Sequence, residues 1–307
     1  MESIKIFSPS TIANLSCGFD VLGVCLDTIS DEMIIRKSKI PGLRITKVDG
    51  EELPLSIERN VAGIAAKSYL NKFPTKIGIE IEIYKKIKAG SGIGSSAASA
   101  VGAVFGINEL LERDVEKIDL IPFALEGEKF ASGEAHADNV APAMLGGFTL
   151  INNHQTLDII KLPSPPEIVV TVIHPKIELK TSDSRAIIEK QIPLKKVISQ
   201  TSNIAGFISG LHTNDYNLIS KCLVDHIFEE QRSLLIPGFK SLKKAALEAG
   251  ALGCGISGSG PSVFAICKGL KKANEVASKF REVISEINID FNIYVSKINS
   301  KGVKKSL

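Results

Sequence analysis

The residues with the clearest potential for chemistry lie in one glycine-rich stretch, residues 88–98, with the sequence Lys-Ala-Gly-Ser-Gly-Ile-Gly-Ser-Ser-Ala-Ala. Glycines let a backbone approach a ligand closely and adopt positive φ, and a helix that begins after them presents free N–H groups to a phosphate. The hydroxyls of Ser95 and Ser96 can cap that helix, bind a phosphate oxygen or ligate Mg²⁺. The stretch therefore indicates a phosphate-binding loop, with a glycine turn and an ordinary serine cap as the alternative.

Other motifs narrow the kind of chemistry. The loop lacks the lysine of a Walker A sequence, which excludes the common P-loop NTPases. A literal G-x-G-x-x-G occurs at residues 253–258, but it follows a predicted helix and precedes a predicted strand, the reverse of the dinucleotide-binding order. The chain has neither G-x-S-x-G nor H-E-x-x-H, so the simplest hydrolase and zinc-protease hypotheses fail.

Regular elements flank the loop on both sides. Isoleucines alternate with glycine and glutamate over 77–83, which predicts a strand with one buried face, and the small residues of 95–111 predict a closely packed helix. Further periodic segments predict other elements. The predicted helices are 118–129, 195–211, 216–228, 238–249 and 271–287, and the predicted strands are 148–151, 168–174, two short ones flanking Gly258, and 291–297.

A proline-rich segment, 162–167, is the best candidate for a domain boundary, because its three prolines cannot continue a helix or a central strand. We predict an N-terminal domain over 1–162 and a C-terminal domain over 163–307. The mixed order of helices and strands predicts the α+β class.

Composition favours a cytoplasmic globular protein that binds neither nucleic acid nor membrane. The chain has 307 residues, a formal net charge of +3 and interspersed acids and bases, whereas nucleic-acid binders concentrate positive charge. No apolar stretch approaches the roughly 20 residues that cross a bilayer, and the N-terminus lacks a secretory signal. The five scattered cysteines are predicted to be reduced thiols.

Three motifs together resemble one known superfamily. Residues 92–98 resemble the phosphate loop of the GHMP kinases, and residues 13–23 and 255–262 resemble the other two signatures of these enzymes, in the same order along the chain. The resemblance implies ATP as co-substrate and a fold of two α+β domains. The N-terminal domain would be similar to ribosomal S5 domain 2, the C-terminal domain would be ferredoxin-like, and the active site would lie between them. It also suggests a homodimer.

The resemblance further implies how ATP and Mg²⁺ are bound. Ser96 and Glu128 would hold the metal ion, although without the resemblance Glu128 would be read as an exposed helix acid like Glu126. The glycine-rich loop would bind the nucleotide. The predicted ATP-binding residues are Lys88, Ala89, Gly90, Ser91, Gly92, Ile93, Gly94, Ser95, Ser96, Ala97 and Ala98.

Residues 13–23 and 136–148 resemble the superfamily members that act on L-homoserine. For that substrate Arg185 and Arg232 are the candidates for the carboxylate, because a guanidinium matches carboxylate geometry. Asp20, assisted by Asn14, would face the ammonium group.

The hydroxyl end of the substrate would meet the remaining polar residues. His136 and Asn139 would contact the hydroxyl, and Thr181 would donate to the γ-phosphate or to the attacking oxygen. Asn139 aligns with an aspartate base of mevalonate kinases, so the amide predicts direct attack without a base. The predicted catalytic set is therefore Asn139, Thr181, Glu128 and Ser96. A GHMP kinase for mevalonate, a sugar or a diphosphocytidyl alcohol, and a nucleotide-binding homologue without activity, are the alternatives.

Overall fold

The computed structural model describes residues 1–133, 135–179 and 181–306. Eleven strands and ten α-helices occur in this part of the chain. The strands are β1 (Ser3–Ala13), β2 (Leu22–Ser38), β3 (Leu43–Asp49), β4 (Gly78–Tyr84), β5 (Phe148–Asn153), β6 (Asp158–Leu162), β7 (Ile168–Pro175), β8 (Gly253–Ile256), β9 (Val263–Lys268), β10 (Phe291–Lys297) and β11 (Lys304–Lys305). The helices are α1 (Val61–Lys72), α2 (Ser95–Leu110), α3 (Lys117–Ser132), α4 (Ala137–Leu145), α5 (Thr181–Ala186), α6 (Leu194–Thr213), α7 (Tyr216–Cys222), α8 (Glu229–Arg232), α9 (Phe239–Glu248) and α10 (Gly269–Ile287).

The first sheet has seven strands, in the order β11-β1-β2-β4-β3, with β5 paired to β2 and β6 paired to β5. All of its pairs are antiparallel except β3 with β4. The isoleucine stripe is confirmed for Ile79, Ile81 and Ile83, which are buried in one core with residues of α1, α2 and α3. Ile77, also predicted to be on the buried face, precedes β4 and is exposed. The sheet thus has its helical layer on the face that the period-two pattern predicted.

The second sheet is antiparallel, with four strands in the order β10-β7-β9-β8. Every residue of β7 is buried, because α9 and α10 cover one face of this sheet and the other face joins a core with α6 and residues of the first sheet. Each of the two sheets packs against its own helices, so the predicted α+β class is correct.

Helix α2 packs unusually close to the first sheet. A Cβ on Gly102 would lie 2.9 Å from Met33 Sδ, and one on Gly106 would lie 2.3 Å from Ile35 Cδ1. Since these distances are below a normal contact, larger residues would push the helix away from β2. The small residues of the predicted helix therefore place the end of the glycine-rich loop directly against the sheet.

The predicted helices agree with α2, α3, α6, α9 and α10 to within a few residues, but one prediction was wrong. The helix predicted over 216–228 ends at Cys222. Downstream, Asp225 Oδ1 accepts hydrogen bonds from the N–H groups of Ile227 and Phe228, 2.9 Å each, and so forms a side-chain-bonded turn. Aspartate often forms such local hydrogen bonds with nearby backbone N–H groups, and they replace the bonds that would continue a helix.

The proline segment lies between β6, in the first sheet, and β7, in the second, and the domain division there stays a prediction. The end of the chain returns to the first sheet: β11 pairs with β1, and the N–H of Val303 donates to Ala143 O at 2.7 Å. All five cysteines are buried free thiols, as predicted. Among the described residues, no helix is both long and apolar enough to cross a membrane.

Candidate active site

A cleft of about 680 Å³ brings the predicted site residues together. Every residue predicted to act in catalysis or substrate binding lines it. These are Asn14, Asp20, Ser96, Glu128, His136, Asn139, Thr181, Arg185 and Arg232. From the glycine-rich loop, Ala89, Gly90, Ser91, Gly92, Gly94 and Ser95 also line the cleft, whereas Lys88, Ile93, Ala97 and Ala98 are not among the lining residues.

The glycine-rich loop is fixed by the turn that connects β8 and β9. Gly92 has φ 78°, and a Cβ there would lie 2.5 Å from the carbonyl oxygen of Gly260. Ser257 Oγ donates to Gly92 O at 2.7 Å. Gly94, with φ 74°, is the N-cap of α2. The loop therefore needs glycine both for its dihedral angles and for the close approach of the facing turn.

The two loop serines have different roles. Ser95 Oγ donates to Ile87 O at 2.7 Å, so this hydroxyl is already hydrogen-bonded within the protein. Ser96 Oγ donates to Glu128 Oε2 at 2.6 Å, and Glu128 is only 5% exposed, whereas Glu126 is exposed. A hydroxyl and a buried carboxylate, placed together at the start of α2, form the kind of oxygen-only set that Mg²⁺ prefers.

Polar groups from both halves of the chain converge at the other end of the cleft. Arg185 Nη2 donates to Asp20 Oδ1 at 2.7 Å and contacts His136 Nε2 at 2.5 Å. Asn14 Oδ1 accepts the N–H of Asp20, 2.9 Å, and Asn14 Nδ2 donates to Gly258 O, 2.9 Å. Arg232 Nη2 donates to the same oxygen at 2.7 Å. An anion and two guanidinium groups thus share one small pocket.

Two kinds of comparison bear on this arrangement. The family model described as the GHMP kinases N terminal domain matches residues 59–147, and that for the GHMP kinases C terminal matches residues 207–286. A homoserine kinase of Chlorobium phaeobacteroides is 42% identical, with 99% of each chain covered. A homoserine kinase of Methanococcus vannielii is 39% identical, with 92% of this chain and 93% of that one covered. The chain belongs to the homoserine kinase family of the GHMP kinases.

Solved structures agree with this membership of the homoserine kinase family. The crystal structure of homoserine kinase from Cytophaga hutchinsonii has a TM-score of 0.97 and 48% sequence identity, and covers 100% of this chain and 98% of its own. The mevalonate kinase of L. major, in complex with R-mevalonate, has a TM-score of 0.73 at 14% identity, with 96% of each chain covered, and so shares the fold. The two-domain GHMP kinase fold implied by the sequence motifs is therefore confirmed.

Burial alters the ionisation of three site residues in this homoserine kinase family member. Burial lowers the pKa of Arg232 to about 10, although Asp20 nearby favours its charge. Burial, and then repulsion from Asp20, raise the pKa of Asp138 to about 7. Burial opposes protonation of His136, but Glu128, with Oε1 3.8 Å from Nδ1, and Asp138 outweigh it and raise the pKa of the imidazole.

The hydrogen bond from Arg185 adds a constraint on His136. A guanidinium only donates, so His136 Nε2 must be unprotonated to accept from it. The arrangement therefore holds a neutral ring with its hydrogen on Nδ1, toward Glu128. The raised pKa means that protonation of this ring competes with the bond from Arg185.

Sequence reasoning missed a buried ion pair beneath the loop. The ammonium group of Lys85 contacts the carboxylate of Asp31 and donates to Ser95 O at 3.1 Å and to Ser99 Oγ at 3.0 Å. Both side chains are almost fully buried, at 2% and 0% exposure. A signal did exist: Lys85 is the next residue on the buried side of the isoleucine stripe, where an ordinary strand would carry an apolar residue.

Two further residues around the cleft also received no prediction. The Phe19 ring stacks on Phe228 with centroids 3.9 Å apart, and the guanidinium carbons of Arg185 and Arg232 each lie 5.4 Å from its centroid. Thr11 Oγ1 donates to Asn139 Oδ1 at 2.8 Å. Phe19 thus places the two arginines side by side, and Thr11 sets which end of the Asn139 amide a ligand can meet.

Proposed function

We propose that the protein transfers the γ-phosphoryl group of ATP to the side-chain hydroxyl of L-homoserine, forming O-phospho-L-homoserine for threonine biosynthesis. The observation that carries the proposal is the convergence of Asp20, Arg185 and Arg232 on one pocket beside the glycine-rich loop. Mevalonate, sugars and diphosphocytidyl alcohols lack an ammonium group, so such a pocket favours an amino acid. The names of the relatives at about 40% identity point to the same substrate.

The glycine-rich loop and the start of α2 would bind the triphosphate through backbone N–H groups and the helix dipole. Ser96 and Glu128 would hold Mg²⁺, since their oxygens lie together at this point and Glu128 is buried. Bound there, Mg²⁺ supplies positive charge that stabilises the β- and γ-phosphate oxygens. Ser95 would contribute its backbone N–H alone, because its hydroxyl is bonded to Ile87 O.

The two arginines would bind the substrate carboxylate. Phe19 holds both guanidinium groups at equal distance from its ring, and Arg232 is only 5% exposed, so its charge acts in a poorly solvated place. Asp20, oriented by Asn14, would face the ammonium group. His136 would contact the substrate near its hydroxyl.

Direct attack by the hydroxyl fits the orientation of Asn139. Its Oδ1 is occupied by Thr11, so the Nδ2 amide group is the part that can donate to the hydroxyl oxygen and hold it in line. An amide accepts no proton, so the hydroxyl proton would pass to an oxygen of the transferred phosphoryl group as the new O–P bond forms and the bond between the γ-phosphorus and ADP breaks. Thr181, whose Oγ1 lies 3.4 Å from Ser259 Oγ, would donate to the transferred phosphoryl group.

A coupled assay of ADP release tests the proposal with a panel of acceptors. We expect L-homoserine, and neither mevalonate nor galactose, to stimulate ADP release in the presence of ATP and Mg²⁺. Glu128→Gln should lower kcat by at least about 100-fold, because it removes a charge that acts on the reacting phosphates. Glu126→Gln, an exposed acid of the same helix, is the matched control and should keep full activity.

Two results would contradict the proposal. Preference for mevalonate would indicate another GHMP kinase, and release that no acceptor stimulates would indicate a nucleotide-binding homologue without catalysis. The homodimer and the cytoplasmic location stay predictions, and light scattering of the purified protein would test the first.

A further inference from the structure

Asp138, the second residue of α4, is a buried acid with one carboxylate oxygen, Oδ1, that has no hydrogen-bond partner among the described residues. It is 2% exposed and lines the cleft, yet no hydrogen bond reaches its Oδ1 from the described residues. No basic side chain among those residues forms an ion pair with it. A buried carboxylate oxygen without a hydrogen bond is unfavourable, so this position favours a cation or a proton.

The same cleft also contains a buried cationic group that lacks a hydrogen-bond partner. Arg232 Nε is also buried and has no partner among the described residues, although Nη2 of the same guanidinium is bonded to Gly258 O. Asp20, in contrast, already has Arg185 as its partner. Within the described residues, one buried carboxylate oxygen and one buried cationic N–H are therefore left without a hydrogen bond, which is the pattern that a zwitterionic ligand completes.

We infer that Asp138 binds the ammonium group of the amino-acid substrate together with Asp20, and so determines the preference for an acceptor that carries a positive charge. The inference rests on the proposed function, to which it adds a second carboxylate. Asp20 alone is a weak anion for this purpose, since its charge is shared with Arg185.

The surrounding charges fit this role. Asp20 and Glu128 act to raise the pKa of Asp138, while His136 and Arg185 act to lower it, and burial is the largest influence. An ammonium group held between Asp20 and Asp138 would relieve both the burial and the repulsion. Binding of a neutral alcohol would relieve neither.

Variants of Asp138 test the inference in the full-length enzyme. Asp138→Asn keeps the shape and removes the charge, and Asp138→Ala is a second variant in case the amide disturbs folding. A bond to a charged group is worth about 1.5–3 kcal/mol, so KM for L-homoserine should rise by roughly 10- to 150-fold. KM for ATP should stay within about threefold of the wild-type value.

A control and an analogue separate binding from a structural effect. Asp183→Asn makes the same change at an exposed acid outside the cleft lining and should leave KM for L-homoserine unchanged. 4-Hydroxybutanoate, which is homoserine without its ammonium group, should inhibit wild type and the Asp138 variants equally. The unliganded Asp138→Asn protein should melt about 2–4 °C higher than wild type at a pH above 7, since a buried unpaired charge is gone.

Two outcomes would overturn the inference. One is a KM for L-homoserine within about threefold of wild type in both Asp138 variants. The other is an equal weakening of 4-hydroxybutanoate, which would assign Asp138 a structural role. Failure of the proposed function itself is distinguishable, because the wild-type enzyme would then show no homoserine-dependent ADP release before any variant is made.

Discussion

The hydroxyl of Thr11 donates to the amide oxygen of Asn139 over 2.8 Å, and this bond joins the first strand of the chain to helix α4, from which Asp138 and Asn139 line the cleft. The bond fixes the amide so that its nitrogen, rather than its oxygen, is the end that a ligand can meet. An orientation of this kind matters most if Asn139 acts as a donor.

Removing that hydroxyl should slow turnover. Thr11→Val keeps the shape but lets the Asn139 amide rotate, so we expect kcat to fall about 10-fold, the effect of one neutral hydrogen bond. Thr11→Ser retains the donor and should keep activity near wild type. Steady-state kinetics at saturating ATP measures both, and equal kcat values for the valine and serine variants would refute an orienting role.

Adding a methyl group at Gly92 should disrupt the glycine-rich loop. The new Cβ would meet the oxygens of Gly260 and Ser257 at 2.5 and 2.7 Å, and the residue has φ 78°. We expect Gly92→Ala to raise KM for ATP by at least about tenfold, because the loop must move away from the β8–β9 turn. Gly42→Ala is the matched control: its φ is 96°, but nothing lies within 4 Å of its added Cβ.

The control should lose about 1 kcal/mol of stability from backbone strain and keep its kinetics. Unfolding in urea and assays with varied ATP separate the two effects. A Gly92→Ala enzyme with wild-type KM for ATP would show that the contact with the facing turn is dispensable.

Breaking the buried pair of Lys85 and Asp31 should destabilise the fold strongly. Lys85→Met leaves the Asp31 carboxylate buried without its counter-ion, and we expect a loss of about 3–5 kcal/mol in the free energy of unfolding. Asp31 also accepts the N–H groups of Lys86 and Ile87, 2.8 and 2.9 Å, which an asparagine can still do through its oxygen. The double variant Lys85→Met with Asp31→Asn should therefore regain part of the lost stability. Urea unfolding measures this. A free energy of unfolding below that of Lys85→Met alone would argue against a charge effect.

Acid should weaken the second sheet through His174, a residue of β7 that is 5% exposed. Burial, assisted by Lys176, lowers the pKa of this imidazole from 6.5 to about 4. Because the unfolded chain takes up the proton at higher pH than the folded chain, protonation draws the protein toward unfolding. We expect His174 to contribute a loss of up to about 3 kcal/mol as the pH falls from the unfolded to the folded pKa.

His174→Gln should remove that part of the pH dependence, while His154→Gln, at an exposed position, should retain it. Urea unfolding of wild type and both variants, at a series of pH values between 6.5 and about 4, measures this difference. Parallel curves for wild type and His174→Gln would mean that other groups dominate acid unfolding.

The sequence predicted best where the pattern was local. The isoleucine stripe, the glycine-rich loop and the small-residue helix follow one another along the chain, so their identity needed no knowledge of distant partners. The long strand β2 and helix α4 received no prediction. Helix α4 carries Pro142 in its interior, and β2 pairs with β4 and β5, which are distant in sequence.

Buried charges were the second kind of miss. Lys85 and Asp138 are residue types that normally face solvent, and only the meeting of distant segments makes them interior. The residues 13–23, 88–98 and 136–139 were placed in one site by their resemblance to a superfamily, not by any physical rule applied to the sequence. The hydrogen bonds among them, such as Thr11 with Asn139, depend on side-chain positions that no pattern encodes.

The return of the chain end to the first sheet bears on how the molecule is made. Val303 donates to Ala143 O, a Cβ on Gly302 would lie 2.5 Å from Met144 O, and β11 adds an edge to β1. During synthesis, helix α4 therefore emerges from the ribosome long before the residues that close over its C-terminal end. A nascent chain would therefore hold α4 in its final position only after residues 302–305 have been synthesised, so a deletion of these residues should weaken substrate binding.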